Sequence, residues 1–185
     1  MLRMPMLFYF KKCYNYSIKG VNDLLKIGDV VVYGAQGICK IDGFDTKTIG
    51  KTDIEYYVLK PIFNDNTAVF VPVENATLTA KMQSVLTKSQ ADELICKTDG
   101  IDIIKTISEN QKRELYKTVL SSNDREKLIS LIKTIRKERD SRRENNKKLN
   151  ISDEQILRKA EMLLYNELAF VYGVAPEEVK NIINF

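Results

Sequence analysis

The sequence predicts an α+β protein, a small antiparallel β module followed by an all-helical domain. Three observations point there. Within residues 26–79, four runs rich in Val, Ile, Tyr and Phe are separated by turn chemistry at 34–37, 46–53 and 64–67, the texture of strands in a small twisted sheet or barrel. Beyond Thr79 the apolar residues recur at helical offsets. Charge is segregated as well. Of 29 Lys/Arg and 25 Asp/Glu, fourteen and seven lie within residues 105–148, so that segment carries +7 while the rest of the chain sums to −3.

A chain of 185 residues that is 44% apolar and 29% charged has the composition of a globular protein, of one domain or two small ones, able to fold without staples. Its residue types argue against an enzyme. Histidine is absent, and Cys13, Cys39 and Cys96 lie far apart without CxxC spacing, which leaves no His/Cys metal set and reads as reduced cytosolic thiols. Neither a GxxxxGK[ST] phosphate loop nor a nucleophile elbow occurs. The acidic pairs Asp42/Asp45 and Glu177/Glu178 fall at turn or helix-start positions, where carboxylates serve local needs. A binding protein without cofactor or metal is expected.

Residues 1–24 form a leader unlike the rest of the chain. Its apolar run at 6–10 is too short to span a bilayer and precedes its lysines, the wrong order for an export signal. The leader is expected to be weakly ordered, or to lie upstream of a true start near Val21, in a protein with no membrane segment. Strands are expected at 27–33, 38–46, 54–62 and 68–73. In the third, Tyr57 and Leu59 oppose Tyr56 and Val58, so both faces are apolar, and either both are buried or one meets a partner. The fourth sets Val69, Val71 and Val73 on one face and Phe70 on the other, beside Pro72. Proline cannot donate to a ladder, so this strand is expected at a sheet edge that another strand can extend. There Phe70 either docks a partner or packs as ordinary core.

A domain boundary is expected near residue 80. Thr87 with Gln90 makes a capping box for a short helix ending before Asp99-Gly100. A helix over 109–121 is expected to turn Leu115, Val119 and Tyr116 inward and Lys112, Arg113 and Lys117 elsewhere. The next, capped by Asn123 or Asp124, buries Leu128, Leu131, Ile132 and Ile135. Its basic face continues into IRKERDSRRENNKK, residues 135–148, where apolar residues vanish and fraying into a flexible connection is expected. Ser152 is expected to cap a long last helix that buries Ile156, Ala160, Leu163, Leu164, Leu168 and Val171 and ends at Gly173. Pro176 then opens a short final helix.

The opening IGDVVVYGAQG, the central EYYVLK, the closing VFVPVENA and the late LNISDEQILRKAEMLLYNELAF resemble the CarD/CdnL family of bacterial transcription regulators, whose first domain is shared with the transcription-repair coupling helicase. That resemblance implies a Tudor-like, SH3-like β domain over 25–79 that docks on the RNA polymerase β subunit, and a helical domain over 80–185 that touches promoter DNA. By the same resemblance Lys47 sits where the family carries a basic residue that meets polymerase, and Phe70 where one branch has arginine. The expected polymerase-binding residues are Lys47, Phe70, Val71 and Pro72. Many members place a DNA-wedging tryptophan near the positions of Ser108, Glu109 and Asn110, but this chain has no tryptophan.

DNA contact is therefore expected through phosphates, at Lys112, Arg113, Lys117, Arg136, Lys137 and Arg139, with weak sequence specificity. Two functions are compatible with these residues. One is a monomeric, cytoplasmic transcription regulator that bridges polymerase and promoter DNA at the nucleoid and modulates open-complex formation. The other is a polymerase adaptor without direct DNA binding, whose basic helices are soluble surface.

Overall fold

The computed structural model describes residues 25–63, 67–105 and 108–183; the leader lies outside them. Five strands form one antiparallel sheet: β1 (Val30–Tyr33), β2 (Ile38–Ile49), β3 (Thr52–Pro61), β4 (Val69–Pro72) and β5 (Met82–Ser84), in the order β4-β3-β2-β1-β5. A four-residue helix, α1 (Ala76–Thr79), separates β4 from β5. The helical domain holds α2 (Lys88–Lys97), α3 (Glu109–Ser121), α4 (Arg125–Glu144), α5 (Ile151–Tyr172) and α6 (Val179–Ile182). Among these residues no helix is long and apolar enough to cross a membrane.

Strand alternation builds two apolar layers on the sheet. Val31, Cys39, Ile41, Tyr57, Leu59, Val71 and Met82 fill one. Val30, Val32 and Ile38 point the other way and meet Val85, Phe170 and Val171, so this part of the opposite face rests on α5. The large core lies among the helices, where Tyr116, Val119, Leu131, Ile132, Ile135, Leu157, Leu164 and Leu168 are all but fully buried.

Local expectations and structure differ at several places, among them the last helix, which opens at Val179, three residues after Pro176. β2 and β3 run on to Ile49 and from Thr52, because Gly50 at φ 67° and Lys51 suffice for the turn between them. The sheet also continues past the boundary expected near residue 80, since Met82–Ser84 pairs with β1. Helix α4 does not fray at Ile135 but continues to Glu144. Charge pairs replace the missing apolar stripe: Arg142 meets Glu138 at 2.8 Å within the helix, Lys112 of α3 meets the same carboxylate at 2.9 Å, and Arg136 meets Glu161 of α5 at 2.6 Å. Finally, α5 is capped by Asn150 rather than Ser152; the Asn150 side chain accepts from the Ser152 N–H at 2.8 Å. The capping box of Thr87 and Gln90, the Asp124 cap and the left-handed Gly173 at the end of α5 stand where expected.

Candidate functional site

Strand β4 is a sheet edge, paired among the described residues only with β3. The Val73 N–H donates to the Glu55 carbonyl at 2.9 Å, so Val73, Val71 and Val69 turn their backbone groups inward to β3. By alternation, the Phe70 N–H and C=O and the Pro72 C=O point out from the edge. Pro72 has no N–H, which restricts the registers an added strand can take.

Beside this edge three side chains share the sheet face opposite Tyr57 and Leu59. Lys47 projects from β2, Tyr56 from β3 and Phe70 from β4. The Lys47 Nζ lies 3.4 Å from the Phe70 ring centroid and 5.8 Å from that of Tyr56, while the two rings meet edge-on at 6.4 Å. Phe70 remains 39% exposed, although Val71 beside it is core and Val69 packs partly buried against the same cluster. Of the four residues expected to bind polymerase, the structure brings Lys47, Phe70 and Pro72 to one surface. The Val71 side chain is fully buried, pointing into the sheet core away from that surface.

The expected DNA-facing cations separate into two groups. Lys112 is 6% exposed and lies between Asp153 Oδ2 at 2.8 Å and Glu138 Oε2 at 2.9 Å, tying α3 to α5 and α4. The helix period explains this placement: Lys112, Tyr116 and Val119 form the buried stripe of α3, whereas Leu115 is 37% exposed. Arg136 is likewise engaged inside, with Glu161 and the Tyr165 hydroxyl. Arg139 is half-buried, 3.6 Å from Asp140. Arg113, Lys117 and Lys137 are exposed, Lys117 loosely paired with Glu114.

A further basic surface escaped the expected set. The turn at Asn145 and Asn146, the latter at φ 53°, folds the chain back from α4 to α5 and opens a cleft of about 520 Å³ lined by Arg143, Lys147, Lys148, Leu149 and Ile151, and on the α5 side by Glu154, Gln155 and Arg158, the last 3.7 Å from Glu154. Arg143, Lys147 and Lys148 are exposed and form no ion pair among the described residues, and Ile151 is 78% exposed. The only signal in the sequence was the run SRRENNKK, which says nothing of how its cations converge.

The buried ion cluster also sets a pH dependence. Burial works against ionisation of Glu138, but hydrogen bonds from Lys112 and Arg142 and their charges outweigh it and hold the carboxyl below its usual range. Burial likewise opposes a charged Lys112, and the hydrogen bonds of Asp153 and Glu138 reverse that and raise its pKa. A carboxylate lowered in the folded state contributes stability that is complete above the unfolded value, about 4.3, and lost as pH falls through the lower folded value. Urea midpoints measured from pH 7 to pH 3 are therefore expected to fall below about pH 4.3, and Glu138→Gln is expected to flatten part of that fall. An acid limb unchanged by Glu138→Gln contradicts the assignment.

No cluster of three or more His, Cys, Asp or Glu able to hold a metal ion occurs among the described residues. A family model described as the CarD-like/TRCF RID domain matches residues 25–86, and one described as CarD, C-terminal domain, matches residues 139–184. The first spans the whole sheet with β5, and the second runs from late α4 through α5 and α6. With both domain models matched in the order of the two modules described above, the chain belongs to the CarD-like family of RNA polymerase-interacting transcription regulators, a family that is not enzymatic.

Proposed function

We propose that the sheet docks on the RNA polymerase β subunit through the open β4 edge and the Lys47, Tyr56 and Phe70 face, and that the helical domain carries exposed cations to promoter DNA and so modulates open-complex formation. The observation that carries the docking half is an unpaired strand edge bordered by a lysine held over an exposed phenylalanine. An added strand satisfies the outward backbone groups of Phe70, while the ring supplies an apolar anchor.

Docking raises the effective concentration of the helices at nearby DNA, so neither contact need be tight alone. The cations open to DNA are Arg113, Lys117 and Lys137 and, in the α4–α5 cleft, Arg143, Lys147 and Lys148, because Lys112 and Arg136 serve the fold. Ser108, Glu109 and Asn110, exposed at the start of α3, offer no wedging side chain, and Glu109 repels phosphate. Any effect on melting then equals the difference in affinity between closed and open DNA, with about 1.4 kcal/mol corresponding to tenfold.

The enclosure of Lys112 and Arg136 favours a second reading, a polymerase adaptor that does not touch DNA. Anisotropy of a labelled promoter duplex, titrated with the full chain between about 50 and 200 mM salt, separates the two. Bridging predicts an affinity that falls with salt with a logarithmic slope of about −3 to −4 for four or so phosphate contacts. Charge reversal at Arg113 and Lys137 together with Lys147 and Lys148 is expected to abolish it. An absence of binding at the lowest salt leaves the adaptor. In parallel, Lys47→Glu is expected to lose capture by the isolated β subunit.

A further inference from the structure

We infer that Arg125, Glu167 and Asn123 are positioning residues: together they latch the sheet to α4 and α5, so that the docking edge and the basic helix ends move as one body. The functional consequence rests on the bridging reading above, but the latch itself does not.

The two modules meet first along an apolar seam, where Val30, Val32 and Ile38 of the sheet face Phe170 and Val171 of α5. Apolar contact is non-directional and alone would tolerate sliding or rocking. The rim of the seam is different. Arg125, the first residue of α4, directs its guanidinium at four acceptors: Nε donates to Glu167 Oε2 at 3.1 Å, Nη1 to Gln83 Oε1 at 2.8 Å, and Nη2 to Glu167 Oε1 at 2.8 Å and to the Ser84 carbonyl at 3.1 Å. Glu167 Oε1 also accepts from the Leu86 N–H at 3.1 Å. One arginine and one carboxylate thus join the end of β5, the start of α4 and the last third of α5.

Glu167 is 3% exposed, and the sheet-side group it accepts from, the Leu86 N–H, is backbone and cannot follow a rotated helix by changing rotamer. A side-on arginine fork fixes angle as well as distance. Two residues earlier, Asn123 adopts φ 56°, a conformation asparagine tolerates, and its Nδ2 donates to the carbonyls of Val32 at 3.1 Å and Lys81 at 2.7 Å. It therefore ties the α3–α4 turn to β1 and to the residue before β5. Directional bonds at two points of one seam define a single orientation.

The test is a set of backbone amide residual dipolar couplings measured on the full chain. In the wild type, couplings from the sheet and from α3 to α5 are expected to fit one alignment tensor. Asn123→Gly keeps the left-handed backbone and removes both ties, and Glu167→Gln keeps the shape and removes the charge. In both variants each module's couplings should still fit internally, while the common tensor is lost. A common tensor retained in both variants overturns the inference. So does loss of the internal fits in both, which would make these residues props of each module's fold instead of its orientation. Capture by the β subunit should persist in both variants, whereas Lys47→Glu should lose capture and keep the common tensor, so failure of the latch and failure of the docking reading are told apart.

Discussion

Lys112→Met is expected to destabilise the protein by about 3–5 kcal/mol, the range for removing one partner from a buried ion pair. The substitution conserves much of the apolar stem, so nearly all of the loss comes from what remains: Asp153, its side chain 6% exposed, and Glu138, its side chain 27% exposed, without the ammonium group that neutralised them. Glu138 keeps Arg142 at 2.8 Å, and Asp153 is therefore the group left most exposed to the penalty. Urea denaturation at pH 7 gives the single-variant value, and the double variant Lys112→Met with Asp153→Leu is the decisive comparison. Replacing both charges with apolar groups is expected to recover most of the loss, because a well-packed apolar substitute for a buried pair is commonly neutral or better. A single-variant cost under about 1 kcal/mol would show that the cluster is not buried as described.

Phe70→Asp is expected to weaken capture of the polymerase β subunit about 30-fold or more, as loss of a central aromatic anchor costs at least about 2 kcal/mol. The fold should tolerate the change. Phe70 is 39% exposed, and the Lys47 ammonium already lies 3.4 Å from the ring centroid, where it can neutralise a new carboxylate. Thermal unfolding of the variant should match the wild type within a few degrees, so that lost capture reports on docking. Unaltered capture by both Phe70→Asp and Lys47→Glu would remove this face from the docking assignment.

Much of the architecture was legible from local pattern. The edge position of β4 follows the proline beside Phe70, and α2, α3 and α5 end close to where the sequence put them. The parts that were not legible depended on partners distant in sequence. The far ends of β2 and β3 are exposed on both faces, so no apolar period marks them as strand. Met82–Ser84 is too short and polar to be recognised without β1 beside it. The last turns of α4 look unsupported until Glu161 and Lys112 arrive from α5 and α3. The same long-range pairing withdrew two cations from the candidate DNA surface, since a lysine on a buried stripe and a lysine on a solvated one are indistinguishable by type. Their convergence with Asp153 and Glu161 is a property of the folded helices alone.

Helix α4 has its first residue, Arg125, bonded to the sheet, and Arg143, near its last, lines the basic cleft. Twenty residues of α-helix measure about 30 Å. At about 3.4 Å per base pair, that is close to nine base pairs of duplex. Under the bridging reading α4 is thus a ruler: its length sets the offset between the β5 edge of the sheet, where Arg125 is bonded, and the phosphates gripped at the cleft, and lengthening α4 by one turn would displace that grip by one to two base pairs.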